Sequence, residues 1–261
     1  MKFEEIESRV RGVPYIIREN AKFLYDLIVT NRLTRILELG IAHGTASCYM
    51  AAALDELGGG FLTCVDLIAV KDAFKPSAEE QLGKTGLSKY AEVVRMQTGY
   101  TWFLHDEIRK HTQNGQCEPV YDLCIIDGPK NWTIDGAAFF MADKLLKQGA
   151  WLIFDDYNWT YASAEKNTSD TDGITHRTLS DPERQTAHVR EIFELLVKQH
   201  PSYSNLVLFD EGDWALAQKT AGDAKTYTLL YRNDYSSKHL VNKALHRLVQ
   251  KGKQWVRPSG S

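Results

Sequence analysis

Cysteine is scarce in this chain: 261 residues hold four, Cys48, Cys64, Cys117 and Cys124, without a CxxC pair. That excludes a disulfide framework and a metal cluster of the usual thiol spacing. Lying mostly in apolar runs, the four read as reduced core thiols of a cytosolic protein. Long apolar runs are missing too. None approaches the roughly 20 residues needed to span a bilayer, and the opening MKFEEIESRV has no apolar core of the kind a secretion signal carries. The expectation is a cytoplasmic protein without a transmembrane segment. Charge of one sign is lacking as well: a formal net charge of −3 and a pI near 6.2 argue against general nucleic-acid binding. No internal repeat is visible, and nowhere does a strand-like run lead into the GxGxxG of a dinucleotide loop.

What is present is an alternation of short apolar runs with helix-like stretches. Residues 14–31 repeat apolar side chains at helical spacing, with Ile16, Ile17, Phe23, Leu24, Leu27 and Ile28 near one stripe. Strand candidates follow as RILELG, FLTCVDLI, AEVVRMQTG, YDLCIIDG and GAWLIFDD, separated by helical segments near 47–57, 76–90, 100–112 and 135–147. After a helix at about 183–199, NLVLFDEGDWALAQK reads as an antiparallel hairpin turning at Asp210 to Asp213. Five strands plus the hairpin give the fold expected here: α/β, a Rossmann-like doubly wound, mostly parallel seven-stranded sheet with helices on both faces. Residues 1–219 form the expected main domain, with a polar, lid-like loop over 158–186. Residues 220–261 form a basic extension: Lys225 to Arg257 hold eight Lys or Arg against one Asp. KTYTLLY (225–231) reads as one further strand. Within 236–255, Leu240, Val241, Ala244, Leu245, Leu248 and Val249 share one helical face. That face suits docking on the domain or on a sister subunit of a homo-oligomer, and a basic helix resting on an anionic membrane is the alternative.

In a doubly wound sheet ligands bind beyond the carboxyl ends of the strands. Gly40, Asp66, Gly99, Asp127 and Asp155 all fall at such ends. The segment Glu38-Leu39-Gly40-Ile41-Ala42-His43-Gly44-Thr45 joins a strand to a helix, where glycines allow close backbone approach and the helix start offers amide donors. Without a pyrophosphate-type pattern, its ligand is expected to carry a carboxylate or a sulfonium, as S-adenosylmethionine does. Asp66 suits a ribose diol, since a carboxylate can accept from both hydroxyls. Gly99 and Tyr100 would border the adenine. At the ends of the next two strands, Asp127, Asp155 and Asp156 would make a hard, oxygen-rich site suited to Mg²⁺, with Lys130 close by. Trp132, His43, His176, Trp102, Trp159 and Tyr157 are further candidates for pocket contacts; the alternative is a packing role for the aromatics and a surface position for His176.

ELGIAHGTAS resembles the first motif of the class I S-adenosylmethionine-dependent methyltransferases, above all the ELGxxxGxS form of the catechol and caffeoyl-CoA O-methyltransferases. Asp127-Gly128-Pro129-Lys130-Asn131-Trp132 is similar to the stretch in which those enzymes place an Asp, then a Lys, then an aromatic. Asp155-Asp156 stands where they have Asp-Asn. The closing helix and hairpin are also methyltransferase-like. The resemblance spans roughly residues 14–219. It implies that Asp127, Asp155 and Asp156 bind a divalent cation, that Lys130 is the candidate base, and that Glu38, Gly40, Ala42, His43, Gly44, Thr45, Asp66, Gly99, Tyr100 and Asp127 line the cofactor. IDG followed by a DD pair also resembles a bacterial group with macrocin-type sugar O-methyltransferases and cephalosporin-hydroxylase-like proteins, which usually has His where Lys130 stands. The implied activity is metal-dependent methyl transfer from S-adenosylmethionine to a hydroxyl of a small molecule, best a vicinal diol or catechol. The competing readings are a metal-independent or binding-only S-adenosylmethionine protein and, from another class, a nicotinamide oxidoreductase.

Overall fold

The structure is a computed structural model that describes residues 1–14, 16–163, 178–209 and 212–221. His176, Asp210 and the basic extension from residue 222 onward lie outside the described residues, and with them the expectations placed there.

Two helices open the chain, α1 (Phe3–Arg9) and α2 (Arg18–Asn31), followed by β1 (Arg35–Leu39), α3 (Thr45–Leu57), β2 (Phe61–Leu67), α4 (Val70–Ala73), α5 (Ala78–Thr85) and β3 (Ala91–Met96). Then come α6 (Tyr100–Lys110), a small ribbon of β4 (Thr112–Gln113) and β5 (Gln116–Cys117), β6 (Tyr121–Ile126), α7 (Trp132–Leu145) and β7 (Leu146–Phe154). The last elements are α8 (Asp181–Gln185), α9 (His188–Glu191) running into a wider π-helical turn (Ile192–Val197), β8 (Tyr203–Phe209) and β9 (Trp214–Lys219). The seven-stranded sheet has the order β3-β2-β1-β6-β7-β9-β8. Its first five strands run parallel, and β9 runs antiparallel to both neighbours.

The strands are apolar on both faces, as a sheet covered by helices on both sides requires. Ile36 of β1 joins the core under α1, α2, α3 and α5, while its neighbours Leu37 and Leu39 join the core under α6, α7 and α9. Leu24, Ile28, Met50 and Leu54 fill the first face; Phe139, Phe154 and Phe193 fill the second.

One row of the sheet explains where the site is. Val65, Leu39, Ile126 and Phe154 are paired side by side across β2, β1, β6 and β7, and Phe154 pairs onward with Ala215 of β9. The residues just beyond that row are Asp66, Gly40, Asp127, Asp155 and, on the antiparallel strand, Trp214. The order also reverses between β1 and β6, the switch point at which such sheets open a crevice.

The helix expected over 14–31 starts only at Arg18, and α1 precedes it. The expected helix at 183–199 is broken at Thr186 and Ala187, both extended, into two short pieces and the π turn. The helix expected at 135–147 starts at Trp132, and Asn131 caps it by accepting from the N–H groups of Thr133 and Ile134 at 2.9 and 3.2 Å. Among the described residues no helix is long and apolar enough to cross a membrane.

Gln81 of α5 is fully buried, and among the described residues neither heteroatom of its side-chain amide has a hydrogen-bond partner. An unmade buried hydrogen bond costs about 1–3 kcal/mol. Gln81→Met, which keeps the length and removes the amide, is therefore expected to stabilise the protein by about that amount. Urea unfolding should show a higher midpoint at unchanged slope.

Candidate active site

The loop after β1 is shaped by contacts that leave no room for side chains. Gly40 has φ +91°, and a Cβ there would lie 2.0 Å from the Asp127 carbonyl oxygen. Gly44, at φ +75°, meets α5 in the same way, a Cβ falling 2.5 Å from that of Ala78. Ala42, between them, is held at φ +43°. The Asp66 carboxylate secures this turn: one oxygen accepts from the Ile41 and Ala42 N–H groups at 2.9 and 3.2 Å, the other from Leu67 N–H at 2.7 Å.

Beneath the loop, Glu38 is buried and accepts from the Ser47 hydroxyl. Burial pushes its carboxyl up to about 8, with Asp127 and Asp66 adding to the shift and hydrogen bonds from Ser47 and Cys64 opposing it. At neutral pH Glu38 is therefore largely the neutral acid, a floor of the cleft that adds little charge.

On the other side of the switch point three acids meet. Asp127 follows β6, Asp155 and Asp156 follow β7, and each can place an oxygen within 4.8 Å of the other two. Lys130 turns back from the same loop as Asp127; its ammonium donates to Asp127 and lies 3.2 Å from Asp156 Oδ2. Lys130 and Asp156 sit at φ +56° and +57°, a left-handed conformation costing about 1–3 kcal/mol for residues with a side chain. Ala42 and Asp213, which also line the cleft, adopt the same conformation, as do Arg32, Asn114 and Asn205 away from it.

The electrostatics follow from burial and mutual repulsion. Burial raises Asp155 well above the usual carboxylate range; Asp127 and Asp156 raise it further, and Lys130 and the Trp214 indole oppose them. Burial raises Asp127 as well, against the pull of Lys130. For Lys130, burial would lower the ammonium, yet Asp127, Asp156 and Asp155 outweigh it and hold the group above its ordinary value. Three carboxylates against one ammonium leave two formal negative charges, so a divalent cation matches the cluster in both charge and donor type.

The loop carrying Asp127 and Lys130 rests on a buried polar network. Tyr100 donates its hydroxyl to Asp135, whose other oxygen accepts from Asn131 N–H at 2.6 Å. Tyr161 donates to the Pro129 carbonyl at 2.9 Å. Burial pushes the Asp135 carboxyl up to about 6, with the Tyr100 and Asn131 bonds working against it. Gly128 allows this closeness, since a Cβ there would fall 1.9 Å from the Tyr100 hydroxyl.

These groups open onto one cleft of about 980 Å³. Glu38, Gly40, Ala42, Asp66, Gly99, Tyr100, Asp127, Lys130, Asp155 and Asp156 all line it. His43, Gly44 and Thr45 do not. His43 Nδ1 pairs with the Pro76 carbonyl at 2.9 Å and its ring meets Phe74, while Thr45 donates to the Pro14 carbonyl at 3.0 Å, tying α3 to the segment before α2. Trp132 lies instead at a shallower cleft beside His188, and Trp102 is 57% exposed on α6. Asn20, Asp135 and Trp214 belong to the site and its supports, and no motif marks them.

Residues 37–157 match the family model described as a methyltransferase domain. The matched stretch and the sheet order together give the chain a Rossmann-like methyltransferase fold. Solved structures with the same fold include an O-methyltransferase of Bacillus cereus in complex with S-adenosylhomocysteine (20% identity, 83% of this chain and 90% of that one, TM-score 0.54). The O-methyltransferase TomG of Streptomyces achromogenes, involved in tomaymycin synthesis and bound to S-adenosylmethionine, is similar at 19% identity, 85% and 92% coverage and TM-score 0.55. So is the S-adenosylhomocysteine-bound methyltransferase PaMTH1 of Podospora anserina, at 15% identity, 83% and 86% coverage and TM-score 0.56. Among curated proteins no relative matches the chain in sequence.

Proposed function

We propose that the protein transfers the methyl group of S-adenosylmethionine to a hydroxyl of a small molecule, with a divalent cation, best Mg²⁺, held by Asp127, Asp155 and Asp156. The observation that carries this reading is the single row of strand ends that puts the Gly40 turn and Asp66 in the same cleft as the three acids and Lys130. In this reading Asp66, at the end of β2, accepts from the ribose hydroxyls with its remaining lone pairs, and the Gly40 turn and Gly99 allow close approach of the cofactor. A bound cation would supply Lewis-acid chemistry, lowering the pKa of an acceptor hydroxyl and fixing its direction. An acceptor with two adjacent hydroxyls, a catechol or vicinal diol, suits such a site best.

Lys130 stays protonated as long as its three carboxylates face it alone. Once their charge is otherwise engaged, burial is left to act on the ammonium and draws it toward the range of a proton acceptor. Its contacts with Asp127 and Asp156 also give a cation-free reading some footing, since the ammonium itself neutralises part of the cluster.

One assay separates the two. With S-adenosylmethionine and 3,4-dihydroxybenzoate as probe acceptor, methyl transfer is expected to stop in EDTA and return with Mg²⁺. Undiminished turnover in EDTA would remove the cation from the mechanism. Thermal stabilisation by S-adenosylhomocysteine and not by NAD is expected alongside it.

A further inference from the structure

One of the two oxygens of Asp155 is already engaged within the protein. That oxygen, Oδ1, accepts a hydrogen bond of 2.6 Å from the indole Nε1–H of Trp214. Trp214 is the first residue of β9, 4% exposed, and packs edge-on against Phe23 of α2. The row that ends in Phe154 of β7 continues to Ala215 of β9, so Asp155 and Trp214 leave the sheet side by side. An indole N–H can only donate. It therefore competes for no cation and favours the ionised form of the carboxyl it touches.

The segment before Trp214 is anchored from two directions. Asn20 of α2 donates its side-chain amide to the Gly212 carbonyl at 2.9 Å. Gly212 and Asn20 are so close that a Cβ on Gly212 would lie 1.8 Å from Asn20 Oδ1. Asp213, next along, holds the chain just past the acids: its carbonyl accepts from Tyr157 N–H at 2.8 Å, and its carboxylate accepts from Asn158 N–H at 3.0 and 3.2 Å. Between the grip on Asp155 and the grip on Tyr157 and Asn158 lies Asp156, in its left-handed conformation.

We infer that Trp214 is a positioning residue for the cation site: by engaging one oxygen of Asp155 it makes this acid a one-oxygen ligand, and with the segment 212–214 it sets the placement of Asp155 and Asp156. This rests on the cation reading above. The oxygens of the three acids alone would fill an octahedral cation and leave no position for an acceptor, and a carboxylate already bonded on one side offers a single, oriented lone-pair face.

The test is Mn²⁺ binding to the full chain, followed by electron paramagnetic resonance in the presence of S-adenosylhomocysteine. Hydrogen-bond partners of metal ligands are typically worth about 10–100-fold in metal affinity. Trp214→Phe, which keeps the ring and loses the N–H, is expected to weaken Mn²⁺ by about that factor while S-adenosylhomocysteine affinity stays within about twofold. Unchanged Mn²⁺ affinity in Trp214→Phe, with Asp155→Asn still abolishing it, overturns the inference and leaves the cation reading standing. A wild-type chain that takes up no Mn²⁺ overturns both. Nitrogen-15 spectra of the wild-type chain test the same point without a variant. The Trp214 indole signal is expected to move on Mg²⁺ titration along the binding curve, and an indole signal that does not respond overturns the inference.

Discussion

Asp155→Asn is expected to abolish cation-supported methyl transfer while S-adenosylhomocysteine binds almost as in the wild type. Asparagine has the shape of aspartate and keeps an oxygen that can accept from the Trp214 indole, so the packing around β7 and β9 survives. What it loses is the charge. Asp155 is one of three acids that converge on the proposed cation site, and it stands apart from the Gly40 turn and Asp66. Lewis-acid stabilisation is worth several kcal/mol, and at about 1.4 kcal/mol per tenfold the expected loss in kcat is roughly a thousandfold. Turnover near the wild-type level would exclude Asp155 as a ligand.

The same substitution carries a stability prediction of opposite sign. Burial and the neighbouring carboxylates raise the Asp155 carboxyl in the folded protein. A carboxyl whose folded pKa lies above its unfolded value binds more protons in the folded state, so it costs stability as pH rises from the unfolded pKa to the folded one. Removing it should raise the melting temperature of the cation-free protein at neutral pH, with the gain shrinking as the pH falls below the ordinary carboxylate range. Melting curves in EDTA at both pH values read this directly. Loss of stability instead would mean that Lys130 and Trp214 more than offset the repulsion.

The sheet was largely legible in the sequence because each strand is an apolar run ended by a glycine or an acid. Those ends are the carboxyl edge on which Gly40, Asp66, Asp127 and Asp155 sit in one row. Helix boundaries were harder to read. Apolar periodicity runs through Ile16 and Ile17, yet α2 begins only at Arg18, with Ile17 extended at its start. The polar loop residues were the hardest. His43 looked like a ligand contact because it sits in the glycine turn, but its ring is taken up by Pro76 and Phe74 in a segment that no local pattern connects to it. Asn20 and Trp214 lie outside every motif and meet their partners at long range, Asn20 with Gly212 across 192 residues and Trp214 with Asp155 across 59. Contacts of that range are decided by packing, which a linear pattern of apolar and polar residues does not record.

Gly40→Ala should damage the protein more broadly than any change to a single acid. The Gly40 backbone is fixed from both sides: its N–H donates to the Val65 carbonyl at 2.9 Å, and the adjoining Leu39 carbonyl accepts from Asp127 N–H at 2.8 Å. A methyl group would meet the Asp127 carbonyl oxygen at 2.0 Å and its carbon at 2.7 Å, both backbone atoms that cannot rotate aside. The φ of +91° strains alanine in addition. Strain of about 1–3 kcal/mol and overpacking of about 1–3 kcal/mol together predict a loss of about 4 kcal/mol in urea unfolding. To make room, the ends of β1 and β6 must part at the point where the Gly40 turn meets the Asp127 loop. S-adenosylhomocysteine affinity and Mn²⁺ affinity are therefore expected to fall together, whereas Asp155→Asn separates them. Calorimetric titration of Gly40→Ala with each ligand decides the matter: loss of one affinity with the other intact would mean that the two halves of the cleft move independently, against the shared row of strand ends from which both are built.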